Sequence, residues 1–152
     1  MVTLRDGSQS VQPPSDEARY RLRLAEGFAS EARQDISLGR WRSCVDNSQL
    51  AVENAAKAAL ALFGPVGRTH RPAPLLREAL EAGDFSDSAA DLAERLAENA
   101  ELLGPDIHIE SDYGDEANWR TPWELFTADD AQSALTMAED AVSAAAALLL
   151  QH

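Results

Sequence analysis

From Asp16 onward, apolar residues recur three and four positions apart, the spacing that collects them on one stripe of a helix. The clearest run is Trp41 to Phe63, where Trp41, Val45, Ser48, Val52, Ala55, Ala59 and Phe63 share a face that should meet a core. The other side of this run is not purely polar. Leu50, Leu60 and Ala61 surround Glu53 and Lys57, which stand four apart, so the pattern predicts an ion pair in a partly covered setting between helices.

Four further helices are predicted around it. Ser15 is placed to cap the first, with Asp16 and Glu17 at the positive end of its dipole and a stripe of Tyr20, Leu24, Phe28, Ala32 and Ile36. The three-residue turn Leu38-Gly39-Arg40 then folds the organising run back on it as an antiparallel hairpin. Gly64 and Pro65 end that run. A short helix over 73–82 turns Leu75, Leu76, Ala79 and Leu80 inward, and Ser86 or Ser88 caps another, with Ala89, Leu92, Ala93, Leu96 and Ala100 as its stripe. The last helix opens at Thr127 and Asp130, the spacing of a capping box, and runs to about Leu150. From Asp106 to Phe126 the periodicity disappears, and loops of that length inside a domain tend to be functional. No strand is expected beyond a locally extended Ile107-His108-Ile109. The fold class is all-α, an up-and-down bundle of four main helices plus one short one. Residues 1–14, ending in Pro13 and Pro14, read as a flexible polar leader, and 15–152 as one helical domain.

At 152 residues such a domain buries roughly two thirds of its unfolded surface without staples. The one cysteine, Cys44, has no partner in the chain, and no signal sequence opens it, so a reducing, cytoplasmic setting is the default. The apolar run from Val142 to Leu150 is too short to span a bilayer. Charge is divided unevenly: residues 1–77 hold 11 Lys or Arg against 8 Asp or Glu, and residues 78–152 hold 2 against 18. That acidic half argues against broad attraction to DNA or RNA phosphates and suits a basic partner surface.

Candidate chemistry gathers in two loops. Arg68, His70 and Arg71 put three cation-capable groups within four residues, and flanking cations favour a neutral His70. In the long loop, Asp106, His108, Glu110 and Asp112 alternate, so an extended backbone would align them as oxygen and nitrogen ligands for a hard cation; the spacing is not that of an EF-hand, and no metal site is assigned. Arg120 stands between Trp119 and Trp123, where it can stack on an indole, unless the two indoles plug the loop onto the bundle. A Gly-rich phosphate loop, an HExxH element and paired cysteines are all missing from the sequence, and no cofactor is expected.

The run Leu50-Ala-Val-Glu53-Asn-Ala-Ala-Lys57-Ala-Ala-Leu60, preceded by a long helix and followed by the His70 loop, a Leu-Leu pair, a Tyr-containing loop and a final alanine-rich helix, resembles the HEPN domain. The likeness runs from about Asp16 to the C-terminus. It implies a helical module that dimerises and binds a nucleotide or a partner protein. Similar families act beside a minimal nucleotidyltransferase in toxin–antitoxin or defence systems. Catalytic HEPN ribonucleases carry Arg, four to six residues, then His; no Arg–His pair here has that spacing, since Arg68 and His70 are only two apart. Where non-catalytic members resemble Ser-Arg-Tyr, this chain has Ser111-Asp112-Tyr113. The resemblance therefore implies a non-catalytic binding module, with Glu53, Lys57, Arg68, His70, Arg71, Tyr113 and Arg120 as ligand-binding candidates and no catalytic residues. The alternatives are a divergent metal-independent ribonuclease using the Arg68–Arg71 loop with Tyr113, and a structural dimerisation domain.

Overall fold

Seven α-helices, α1 (Asp16–Ser37), α2 (Trp41–Leu60), α3 (Pro72–Glu81), α4 (Asp87–Leu102), α5 (Pro105–Tyr113), α6 (Pro122–Leu125) and α7 (Ala128–Gln151), make up the computed structural model, which describes residues 14–152. The expected leader lies outside this range but for Pro14. Among the described residues there is no strand; Asp115 and Arg120 form an isolated bridge.

The four long helices carry the core, as their patterns require. Ser15 Oγ accepts from the Ala18 amide and starts α1, and Gly39, at φ +72°, makes the turn into α2 that an L side chain would resist. α2 packs against α1 and α7, and α7 also covers α1 and α4. Alanines fill these contacts: Ala25, Ala29 and Ala32 of α1, Ala51, Ala55 and Ala59 of α2, and Ala134, Ala138 and Ala141 of α7 are all buried in one cluster. Small side chains bring the helix axes close and let backbone pack on backbone. Thr127 and Asp130 form the expected reciprocal capping box.

Several inward assignments move. On α1 the buried line is alanine, and Tyr20 is half exposed. The larger Leu24 and Phe28 sit at the edges of that line, because the close α1–α2 contact has room only for alanine at its centre. Phe63 and Leu75 are also exposed. The expected plain loop over 106–126 instead holds α5, α6 and a 3₁₀ turn at Glu116–Asn118. α5 shows no apolar stripe because it is seated by polar contacts, so its periodicity was invisible. α6 has one turn, fixed by Pro122 and a capping box between Thr121 and Glu124. α7 taken whole is long and apolar enough to cross a membrane by length and composition, which the shorter run 142–150 is not; its apolar side is buried against the other long helices.

Ion pairs tie the outer helices to this core. Arg77 of α3 reaches Glu94 at 2.6 Å and Glu101 at 2.8 Å on α4, and Arg95 of α4 pairs with Asp140 of α7. The guanidinium hydrogen bonds hold the Asp140 and Glu101 carboxyls below the usual carboxylate range. A carboxyl depressed in the folded state stabilises it above the unfolded pKa of about 4, and that contribution is lost as pH falls through the folded value. The urea midpoint should therefore stay level from neutrality to about pH 5 and drop below about pH 4, with a shallower drop in Asp140→Asn; an equal drop in that variant would contradict the assignment.

Candidate functional site

One polar line runs along α2: Arg42, Asp46, Gln49, Glu53 and Lys57, spaced three or four apart and so on neighbouring turns of one face. Apart from Asn47, Ser48, Leu50 and Asn54, the other residues from Cys44 to Ala59 are buried and apolar. Two sites form where other elements meet this line.

Toward the C-terminal end of α2, Lys57 Nζ lies 3.1 Å from Glu53 Oε2, both side chains more than nine-tenths buried. His70 Nδ1 approaches the same oxygen at 3.3 Å from the loop before α3, and Gln49 Nε2 donates to Glu53 Oε1 at 3.4 Å. Glu53 is thus the hub, its charge balanced by Lys57 from within the helix. Gln49 is 1% exposed, and its Oε1 has no protein donor.

Gln49 and Glu53 form the floor of a groove of about 370 Å³. Its walls are largely apolar, from Ala73, Ala100, Leu102 and Ile107, and His70 and Arg71 stand at its mouth, where Arg71 reaches Asp106 at 3.4 Å. The first turns of both α3 (Pro72 to Pro74) and α5 (Pro105 to Ile107) line it. Three of these first-turn residues are prolines without an amide hydrogen and the Ile107 amide bonds the Gly104 carbonyl, so what favours an anion at the mouth is the positive dipole end of each helix together with His70 and Arg71, set against the Glu101 and Asp106 carboxylates. The floor, rich in acceptors, favours hydrogen-bond donors.

Toward the N-terminal end of α2, a second polar group seats α5. His108 Nδ1 meets Asp46 Oδ1 at 2.5 Å, Ser111 Oγ lies 3.0 Å from the same oxygen, and Arg42 donates to the Ser111 carbonyl at 2.8 Å. Asp112 adds contacts to His108 Nε2 at 3.5 Å and Arg42 at 3.6 Å. Asp46, His108 and Asp112 each place one donor atom within 4.8 Å of the others, a spacing a metal ion can use, yet every member is already bonded within the cluster. The extended row of Asp106, His108, Glu110 and Asp112 does not exist. The backbone is helical there, so residues two apart diverge: Asp106 turns to Arg71, while His108 and Asp112, four apart, face α2.

Of the sequence candidates, Glu53, Lys57, His70 and Arg71 are brought together. Arg68 is exposed on the loop between α2 and α3. Tyr113 is exposed at the end of α5, and Arg120 donates to the Glu124 carbonyl at 2.8 Å; neither lines the groove. Arg120 does not stack on an indole: the guanidinium over Trp123 is that of Arg42, 5.8 Å from the ring centroid. Nor do the tryptophans plug the loop, since Trp119 is 89% and Trp123 75% exposed. Sequence reasoning missed Gln49, although its place four residues before Glu53 was a legible signal. Asp46 and Arg42 had the same spacing signal, but their partners come from a helix the pattern did not reveal. Cys44 is fully buried beside Ser48 and the Ala131 carbonyl, and burial pushes its thiol pKa up, so it is no nucleophile.

The buried pair makes a stability prediction. Lys57→Met leaves Glu53 charged in a covered site and should cost about 3 to 5 kcal/mol by urea unfolding, whereas adding Glu53→Gln should recover much of that loss. Equal stability of the single and double variants would show that the pair is not coupled.

A sequence model of the HEPN domain matches residues 18–148. A UPF0332 protein of Archaeoglobus fulgidus is 31% identical over 100 residues, 65% of this chain and 74% of that relative. The crystal structure of TT1696 from Thermus thermophilus is similar in fold, with a TM-score of 0.64 over 88% of this chain and 99% of that one at 21% identity.

Proposed function

This chain belongs to the HEPN domain family, and from that premise we propose that it is a non-catalytic member that binds a nucleotide in the groove over Gln49 and Glu53. The observation that carries the reading is Gln49 Oε1, a buried acceptor without a protein donor on a residue that lines the groove. An exocyclic amino group of a base supplies the missing donor, and the apolar walls suit a base's faces. Phosphates then lie toward the mouth, near Arg71, His70 and the first turns of α3 and α5. Lys57 keeps the Glu53 charge from repelling them.

Ribonuclease chemistry is left aside because no Arg is followed, after four to six intervening residues, by a His, and because His70 is engaged with Glu53. The family premise extends the proposal to a cytoplasmic homodimer that works with a nucleotidyltransferase partner in a toxin–antitoxin or defence setting. Light scattering tests the dimer.

Titration calorimetry with ATP, AMP, GTP and short RNA is expected to find a mononucleotide ligand. Gln49→Leu, which removes the orphan acceptor and also the bond to Glu53 Oε1, should weaken it about tenfold or more at a temperature where circular dichroism shows the variant still folded. Silence across all of these ligands ends the nucleotide reading.

A further inference from the structure

Four large apolar side chains between residues 109 and 123 are exposed: Ile109, Tyr113, Trp119 and Trp123. They stand on a segment, 105–126, with six carboxylates and the single cation Arg120, which is occupied by the Glu124 carbonyl. Exposed indoles among carboxylates are an arrangement with one well-suited class of ligand, a guanidinium or ammonium flanked by apolar groups.

The segment is built to hold Trp119 outward. Gly114, at φ +74°, lies so close to the Arg120 carbonyl that a Cβ would come within 2.2 Å of that oxygen. Asp115 and Arg120 exchange both backbone hydrogen bonds, at 2.8 and 2.9 Å, and the Asp115 carboxylate takes the Asn118 amide and side chain. Inside this closed loop Trp119 adopts φ +56°, a conformation unfavourable for an indole-bearing residue, and its ring is 89% exposed. Burial within the chain returns nothing for that backbone cost.

The chain also contains a small version of the contact. Arg42 places its guanidinium over Trp123 while pairing with Asp112 at 3.6 Å, so this surface already holds one arginine between an indole and a carboxylate. Trp119 has Asp115 and Glu116 in its own turn, and among the described residues no cation lies over it.

We infer that the α5–α6 face docks a basic segment of another protein, with an arginine or lysine seated over Trp119 beside Glu116. Charge selects this occupant. A second copy of this chain, net −13, would bring the same acidic face against itself, and nucleic acid phosphates would be repelled. The inference uses none of the groove residues and stands or falls apart from nucleotide binding.

The test titrates the full chain, by tryptophan fluorescence, with a synthetic peptide alternating arginine and leucine and with its glutamate-for-arginine counterpart. The basic peptide should bind saturably and more weakly as salt rises, and the acidic one should not bind. Trp119→Asn, whose new residue tolerates the positive φ, should keep the melting temperature and weaken the peptide about tenfold. Glu116→Lys, a change at an exposed side chain, should weaken it as well. No binding of the basic peptide, equal binding of both peptides, parental affinity in both variants, or a dimer that Trp119→Asn dissociates would each overturn the inference.

Discussion

Lys57 Nζ and Glu53 Oε2 meet 3.1 Å apart inside the bundle, and the rest of the arrangement is constrained by that contact. A buried carboxylate is tolerated only if its charge is balanced and its oxygens are bonded. Lys57 supplies the charge from one turn along the same helix, and Gln49 and His70 bond to the two oxygens. His70 brings the loop after α2 to Glu53 at the edge of the groove, and α3 begins two residues later at Pro72.

The same logic operates at the other end of α2. Asp46 and Arg42 are only partly covered, and α5 answers them with His108, Ser111 and Asp112 rather than with apolar side chains. α2 is therefore two things at once. Its alanine-rich sides allow α1 and α7 to approach closely, and its polar line gathers the segments between the long helices. Packing of the first kind gives the bundle its stability; the second decides where side chains with chemistry converge.

The proposed function rests on what that line leaves incomplete. Glu53 is satisfied internally, whereas the neighbouring Gln49, which lines the groove, keeps a buried acceptor without a donor. At the far side, the loop around Trp119 spends conformational energy to display an indole. In the reading proposed above, the first feature receives a small ligand with donor groups and an anionic tail, and the second a cationic protein segment.

Periodicity and capping chemistry in the sequence alone determined the four long helices, the hairpin of α1 and α2, the Glu53–Lys57 pair and the HEPN resemblance, because each depends on residues within a few turns of one another. Three-dimensional packing decided the rest. That Tyr20 faces outward and alanines inward on α1 depends on how near α2 comes. That 106–113 is helical depends on α5 finding Asp46 and Arg42, more than sixty residues upstream. That His70 and Arg71 meet Gln49 and Glu53 while Arg68, Tyr113 and Arg120 stay apart depends on chain reversals whose direction no local pattern encodes. Local spacing fixes which face a side chain occupies; only the packed fold fixes what that face meets.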